Sequence, residues 1–516
     1  MSWPRPRTSW RPRNRTPCWA CAASSSIRTS SSMSIDLLEP WRPSRRELLR
    51  RSWNGLGSLA LASLLADEAR SAPRELPNPL APKEPNFPAK AKRCIFVFAS
   101  GGVSQVDTFD YKPALAKYAG QRMPELPNVE GEIEAFLRNG ATTLPSPFEF
   151  RQYGESGRAI STLFENLGPL ADKLAFVYGV KGESNNHSPA TMQINTGSPF
   201  QGNPSVGAWV TYGLGSENRN LPGYVVLHDP RGGPVNGPAV WQSGYLPATY
   251  QGTPFRPSEP AVLHLDSPPG VDRARSRREL DLLRRLNEQH AAERPARDEL
   301  DARIAAYELA FRMQTEAAAT TDLSNEPDSV RKLYGMDDPV TEPFARQCLM
   351  ARRLVEKDVR FVLLVHGWEN GQFSWDHHKE LETLLPARSR EIDKPVAGLL
   401  TDLDQRGLLQ DTLVVWTSEM GRTPFVQGNP QYPGRNHNQW GMASWFCGAG
   451  VKAGATAGQT DEFGLRAAGE TLRIRDLHAT VLRLMGLDQM ALTFLHQGRF
   501  KRLTDTGGRV LEEILA

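Results

Sequence analysis

Carboxylates and histidines follow two buried apolar runs of this sequence at the points where those runs end. Glu419 comes directly after TLVVWTS, and His437 follows it on a polar loop. Asp376 and His378 follow a second apolar run, VRFVLLVH. Carboxylates and imidazoles together bind divalent metals, and ligands of open α/β sheets lie beyond the carboxyl ends of the strands. The pattern predicts a metal or catalytic site; a capping glutamate and surface histidines are the alternative.

A predicted helix start supplies a further candidate. In GESNNHSPATMQINTG, residues 182–197, a proline in the first turn marks the start of a helix and Gly197 marks its end. His187 then lies at the helix N-terminus, where free N–H groups favour an anion. The alternative is that His187 or Ser188 merely caps the helix.

These candidates need a sheet to bring them together. RCIFVFASGG, residues 93–102, predicts a first buried strand, and Asp107 follows it. A first strand that ends in small residues and carboxylates is a common start of an α/β active site. Because the apolar runs are unbroken by charge, they favour strands that are covered on both faces, as in a parallel sheet.

The composition is that of a chain that can fold around a hydrophobic core. The chain has 516 residues, 39% of them apolar and 23% charged, with a net charge of +3. This suffices for one large domain or two ordinary ones and gives no sign of the clustered basic face that binds nucleic acid. The widely spaced cysteines are predicted to be core thiols, whereas a CxxC near the start has no second pair and is a weak zinc signal. The predicted core thiols are Cys94, Cys348 and Cys447, and the CxxC consists of Cys18 and Cys21.

The chain divides by composition into a leader, a linker and a large domain. In the leader, residues 1–72, SRRELLR precedes a short apolar run and predicts a twin-arginine export signal; a basic amphipathic surface helix is the alternative. The apolar run is too short to span a bilayer. Residues 73–92 form a proline-rich linker and 93–516 the domain, with a helical insertion at 270–320. We therefore expect an exported, periplasmic or cell-surface protein with no stable membrane span.

Four segments, taken in order, resemble the alkaline phosphatase and sulfatase superfamily. TLVVWTSEMG resembles a strand that ends in TSD-H/N-G, with Glu419 at the carboxylate ligand position, and HSPATMQINTG resembles CSPSRAALLTG, with His187 at the nucleophile position. NHNQWGMASWFCGAGVKAG and DLHATVLRLMGL resemble the segments that follow. The resemblance implies an α/β fold of three layers, an alkaline-phosphatase-like, mostly parallel sheet with helices on both faces.

Within that superfamily the sequence resembles the bacterial family called domain of unknown function 1501. The segments that carry this resemblance are SGGVSQVDTFDYKP, WDHH, SEMGRTP, GRNHN and QGRFKRLTD. The name of that family leaves its activity open, so the resemblance predicts the fold more than a reaction.

Several positions depart from the superfamily pattern. Ser100 or Gly101 stands where the first-strand aspartate ligand is expected, unless Asp107 reaches back to replace it. His187 cannot become formylglycine, and Met420 is a poor ligand for a hard metal. The remaining candidates can complete one divalent site for Zn, Mn, Ca or Mg, and they are Asp107, Asp376, His378, Glu419 and His437.

The resemblance and the residues together imply an exported, metal-dependent hydrolase of a phosphate, sulfate or related ester, carried by a small molecule or a glycan. We expect His187 to act as nucleophile or general acid/base, with Ser188 as the fallback nucleophile. Arg422 or Arg435 would neutralise charge on the ester. The alternative is a degenerate member that binds a sulfated or phosphorylated glycan, or a cell-surface partner, through the aromatic-rich segment 198–262.

Overall fold

The computed structural model describes residues 78–516 except 125, 127–129, 257, 259, 264, 293–297, 369–373 and 430. The predicted leader, with its export signal and its CxxC, lies outside the described residues, as does the first part of the linker. The domain boundaries expected from composition stay predictions. Among the described residues, no helix combines the length and the apolar character that crossing a membrane would require.

A nine-stranded sheet forms the centre of the domain. Its strand order is β12-β4-β11-β8-β1-β7-β5-β6, and β13 pairs with β4. All its neighbouring pairs are parallel except those that β11 makes with β4 and β8. The strands are β1 (Arg93–Ala99), β2 (Phe150–Tyr153), β3 (Arg158–Ser161), β4 (Leu174–Lys181), β5 (Tyr224–Leu227), β6 (Thr253–Phe255), β7 (Phe361–His366), β8 (Thr412–Thr417), β9 (Gly421–Gln427), β10 (Gly434–Asn438), β11 (Met442–Gly448), β12 (Thr456–Ala457), β13 (Leu472–Arg473), β14 (Phe494–His496) and β15 (Arg499–Lys501).

Helices cover both faces of the sheet and confirm the predicted three-layer α/β class. Alternate residues of β1 point to opposite faces, so Cys94 and Phe96 join one core while Ile95 and Val97 join the other. The first core is closed by α4, α5 and α11, and the second by α9 and α10. The helices are α1 (Gln105–Thr108), α2 (Pro113–Lys117), α3 (Glu132–Arg138), α4 (His187–Thr196), α5 (Val206–Leu214), α6 (Arg273–Ala292), α7 (Asp298–Thr321), α8 (Asp328–Tyr334), α9 (Glu342–Glu356), α10 (Leu381–Gln405) and α11 (Ile474–Leu484).

Burial on both faces explains why the sheet strands are continuous apolar runs. Every residue of β7 and β8 is buried, as a strand between two helical layers requires. Cys94, Cys348 and Cys447 are buried free thiols, as predicted. Trp416 of β8 stacks on Trp445 of β11 with ring centroids 6.1 Å apart, which fills the core beside the antiparallel strand.

Two local elements differ from the expectations. His437 lies on a strand, not on a loop, because β9 and β10 form an antiparallel ribbon with an irregular register between Arg435 and His437. α10 continues through Pro386 and Pro395, at which the local sequence favours a break. Its buried face packs on α9 through residues such as Leu399, and this packing outweighs the loss of helix hydrogen bonds at proline.

The predicted helical insertion corresponds to two charged helices, α6 and α7. Arg277 of α6 reaches Glu308 of α7 with a two-pronged ion pair at 2.6 and 2.8 Å. Among the described side chains of α7, Met313 and Ala317 join the core beneath it. Much of the charge in this segment therefore faces solvent or the neighbouring helix.

The turn after β1 depends on a glycine with no space for a side chain. Gly101 has φ +119°, and a Cβ there would lie 2.4 Å from the backbone nitrogen of Trp375. Its N–H donates to both carboxylate oxygens of Glu419, at 2.8 and 3.1 Å. The glycine therefore allows the end of β1 to approach the segments that follow β7 and β8.

We predict that Gly101→Ala destabilises the protein by about 3 kcal/mol or more. The energetic cost of a positive φ at alanine adds to the cost of the clash between the new Cβ and the backbone of Trp375. Gly120→Ala is the matched control: Gly120 also has positive φ, +70°, but nothing lies within 4 Å of the place that a Cβ would take, so we expect a loss of about 1 kcal/mol. Chemical denaturation measures both. If both variants lose the same free energy of unfolding, the backbone of Trp375 does not pack tightly against Gly101.

Candidate metal centre

Four side chains meet at the carboxyl edge of the parallel strands: His187, Asp376, His378 and His437. One ligand atom from each lies within 4.8 Å of all the others. His187 opens α4 after β4, Asp376 and His378 follow β7, and His437 lies on β10. Residues that are far apart in sequence thus converge where the topology of an open α/β sheet places ligands.

The distances within this group are those of ligand atoms around one ion. Asp376 Oδ1 lies 3.2 Å from Nε2 of His187, 2.9 Å from Nε2 of His378 and 3.3 Å from Nε2 of His437. The Nε2 atoms of His378 and His437 are 2.9 Å apart. With Zn–N bonds of about 2.0–2.1 Å, neighbouring atoms of a tetrahedral site lie about 3.4 Å apart. The group is therefore compact enough to hold a metal ion.

Hydrogen bonds on the far side of two rings set their tautomers. Nδ1 of His187 lies 2.7 Å from Glu419 Oε1, and Nδ1 of His378 lies 2.5 Å from Gln427 Oε1. A carboxylate or amide oxygen only accepts, so each Nδ1 carries a proton, and the Nε2 atom of each ring faces Asp376. His187 Nε2 is buried and has no hydrogen-bond partner of acceptable geometry. These residues fit a bound cation, which would satisfy the facing lone pairs.

Glu419 lies behind His187, one step away from the four-residue group. It is fully buried, and it accepts from the N–H of Gly101 and from Ser418 Oγ, the latter at 3.0 Å. Burial raises the pKa of Glu419, whereas the hydrogen bond and the charge of His187 lower it. The lowering effects together are larger, so the net shift of the pKa is downward. Glu419 was predicted as a metal ligand; the structure places it behind His187, where its carboxylate orients the imidazole ring.

Arg422 also lies beneath the group, with only 1% of the residue exposed. Its guanidinium donates to Asp376 Oδ1 at 2.5 Å and to the carbonyl oxygen of Gly102 at 2.8 Å. It also donates to the carbonyl of Gly101. The structure thus places Arg422 as a buried residue that ties the end of β1 to Asp376 and has almost no exposed surface.

Asp107 does not join the group. It is fully buried and forms a two-pronged ion pair with Arg435, at 2.6 and 2.9 Å. Ser104 Oγ donates to the same carboxylate at 2.5 Å. Arg435 in turn donates to the carbonyl of Leu144 at 3.1 Å. Because both carboxylate oxygens are engaged, Asp107 does not replace the missing first-strand ligand.

Ser188 is the second residue of α4, and its hydroxyl is engaged. Asn186 caps the helix by accepting from the backbone N–H of Ser188 at 3.1 Å, so neither His187 nor Ser188 is the cap. Ser188 Oγ donates to Asn236 Oδ1 at 2.8 Å, and Asn236 donates back to the Ser188 carbonyl at 2.7 Å. Asn236 holds this position with φ +71°.

The local field keeps Asp376 anionic. Burial raises the pKa of this carboxyl, but its contacts with His187, His378 and His437 hold it well below its usual range. Burial lowers the pKa of His187, yet its contacts with the carboxylates of Asp376 and Glu419 raise it, to about 9 overall. The pKa of His437 is lowered, chiefly by burial. A fixed negative charge among imidazoles is an environment that attracts a cation.

Sequence reasoning named all four group residues, three as metal ligands and His187 as nucleophile or general acid/base, but it missed the residues that support them. Gln427 fixes the His378 ring, and Asn236 holds Ser188. Neither has a recognisable sequence signal, because an amide in a strand or loop looks like any polar surface residue. His377, the middle residue of DHH, points inward instead: it is 2% exposed, and burial lowers its pKa to about 3.

The fold and this group define an α/β protein with a candidate metal centre at the carboxyl edge of its sheet. A family model described as "Protein of unknown function (DUF1501)" matches residues 91–515. The chain belongs to this family, which confirms the resemblance drawn from SEMGRTP and GRNHN. A search of curated proteins found no match to the sequence.

Solved structures similar to this chain include members of the alkaline phosphatase superfamily. A protein of that superfamily from Vibrio parahaemolyticus matches with TM-score 0.35 and 12% identity, covering 86% of this chain and 75% of that one. The lipoteichoic acid synthase LtaP from Listeria monocytogenes matches with TM-score 0.34 and 10% identity, covering 84% of this chain and 79% of that one. The alkaline phosphatase from the Antarctic bacterium TAB5 matches with TM-score 0.28 and 10% identity, covering 71% of this chain and 93% of that one.

We predict that Asp107→Asn destabilises the protein by about 3–5 kcal/mol, because it leaves the Arg435 charge buried without its partner. The folded fraction should still bind metal with unchanged stoichiometry. Asp404→Asn is the control, since the pair between Lys173 and Asp404 at 2.7 Å is exposed and contributes about 1 kcal/mol or less. Denaturation and metal analysis test this; loss of metal from folded Asp107→Asn protein would return Asp107 to the ligand set.

Proposed function

We propose that this protein is a metal-dependent hydrolase of a phosphate, sulfate or related ester. The observation that carries the proposal is the convergence of three imidazole Nε2 atoms and one carboxylate oxygen, with the buried Nε2 of His187 lying 3.2 Å from Asp376 Oδ1. Such a group at the carboxyl edge of an α/β sheet is suited to hydrolytic chemistry on an oxygen ester.

The donor set favours zinc or a similar borderline ion. Three imidazole nitrogens and one carboxylate oxygen make up the group, whereas magnesium and calcium prefer oxygen ligands. Imidazole ligands suit Zn, and because the group already offers four protein donors, a bound water or ester would take a fifth position, which zinc can accept. We therefore place Zn ahead of Mn, Ca and Mg, the four metals that the sequence left open.

A bound divalent ion supplies Lewis acidity toward the ester and lowers the pKa of water. The residues of the chain supply the arrangement. Glu419 holds the proton of His187 on Nδ1, and Arg422 fixes Asp376 through Oδ1. Since both nitrogens of His187 face protein groups and Ser188 donates to Asn236, we favour water over either side chain as the attacking group.

A second candidate function is ligand binding without turnover. Its support is the burial of both candidate charge-neutralising residues: Arg422 is 1% exposed and Arg435 is fully buried. Neither guanidinium reaches an ester at the site, so an exposed cation for the developing charge must come from elsewhere. The two functions differ in whether metal-loaded protein cleaves esters or only binds them.

We further propose that the protein is exported through the twin-arginine pathway, on the basis of SRRELLR and the apolar run that follows it. Replacing Arg45 and Arg46 by lysine, in the full chain fused to a reporter, should retain the reporter in the cytoplasm. Unchanged export of that variant would remove this proposal.

We predict that His378→Ala and His437→Ala each abolish stoichiometric metal binding, whereas Glu419→Gln lowers metal affinity about 10–100-fold by weakening the support of His187. His290→Ala is the control, because this histidine lies exposed on α6. Metal content and zinc titration measure binding, and a panel of aryl phosphate and sulfate esters measures turnover. If the unmodified protein binds metal but cleaves none of the esters, the second function is favoured. If it binds no metal, both the metal centre and the metal-dependent hydrolase are contradicted.

A further inference from the structure

A second concave surface lies on the same edge of the sheet, beside β4. It has a volume of about 370 Å³ and lies between the C-terminal end of α4, strand β13 and the hairpin β14–β15. We call it the basic groove. Five cationic residues line it: Lys181, Arg473, Arg475, Lys501 and Arg502. None of them belongs to the candidate metal centre.

The positive charge of the basic groove is not balanced by its surroundings. Its lining contains only the carboxylates Glu183 and Asp505. In the part of the chain that the structure describes, none of the five cations forms an ion pair within 4 Å. Arg475 donates to the hydroxyl of Thr506 at 2.7 Å, and Lys181 lies 3.4 Å from the ring centroid of Trp440. Charges held near neutral partners favour an incoming anion.

Two polar atoms of the lining are buried without partners. They are Nε of Arg502 and Oγ1 of Thr504, and Thr504 is only 3% exposed. Buried donors of this kind are normally satisfied by hydrogen bonds. An oxygen-rich ligand in the basic groove would supply the missing acceptors.

Aromatic rings border the cations. Phe200 lines the groove with 75% of its surface exposed, which is unusual for a large apolar side chain. Tyr245 also lines it and is held in place by stacking on His496, with ring centroids 4.9 Å apart. Flat apolar surfaces beside guanidinium groups suit a ligand that is both ring-shaped and anionic.

We propose that the basic groove binds an oligosaccharide that carries sulfate, phosphate or carboxylate groups. The cations bind the anionic groups, the unpartnered polar atoms bind oxygens, and the aromatic rings cover the apolar faces of the sugar. A groove of about 370 Å³ accepts one or a few rings rather than a duplex, and the net charge of +3 lacks the excess typical of nucleic-acid binding. This binding is independent of the metal centre.

The test measures binding of a sulfated tetrasaccharide, its unsulfated counterpart, inorganic sulfate and single-stranded DNA to the full chain by calorimetry at low salt. The sulfated saccharide should bind, and the double variant Arg475→Gln/Lys501→Gln should lower its affinity at least about tenfold. Lys452→Gln, a change of an exposed lysine outside the groove lining, should leave it unchanged.

Phe200→Ala separates a sugar site from a simple anion site. It should lower affinity for the sulfated saccharide about three- to tenfold without changing the binding of inorganic sulfate. Equal affinity for the unsulfated saccharide, tighter binding of DNA, or no effect of the groove variants would each overturn the proposal. Asp376→Asn should bind the saccharide normally, so a failure here is distinct from a failure of the metal-dependent hydrolase.

Discussion

The candidate centre depends on one electrostatic constraint: lone pairs and a negative charge cannot be packed at one point without a positive charge between them. Asp376 Oδ1 lies within 3.3 Å of the Nε2 atoms of His187, His378 and His437. Glu419 and Gln427 place protons on the opposite nitrogens of two of these rings. Protons on Nε2 or a shared cation can satisfy the arrangement, and the acceptors on Nδ1 orient the two rings toward that position in either case.

Buried arginines carry this constraint into the scaffold. Arg422 and Arg435 are almost completely buried, and each is satisfied by one carboxylate and several backbone carbonyls. A buried guanidinium is costly unless its donors are paired, so each arginine fixes the loops that supply its acceptors. Arg422 joins the end of β1 to Asp376, and Arg435 joins β10 to Asp107. The group is thus held by charges that never reach solvent.

The sequence predicted those elements that short, continuous stretches of residues determine. Unbroken apolar runs located β1, β7 and β8, and the proline after Ser188 located the start of α4. The spacing in DHH identified Asp376 and His378 because both side chains come from one short loop. Partners chosen by the tertiary fold were beyond this reasoning: Asp107 meets Arg435 from 328 positions away. The same holds for α10, where burial against α9 overrides two prolines that locally favour a break.

The single antiparallel strand of the main sheet explains how one stretch of chain serves both surfaces. β8 ends at the carboxyl edge, and because β11 runs the opposite way, it begins at that same edge. The intervening ribbon β9–β10 therefore stays above the edge and delivers His437 to the centre. The turn that leads into β11 carries Trp440, whose ring lies under Lys181 of the basic groove. A parallel β11 would need a crossover across a face of the sheet. The intervening chain would then not bring His437 to the candidate centre or Trp440 to the basic groove.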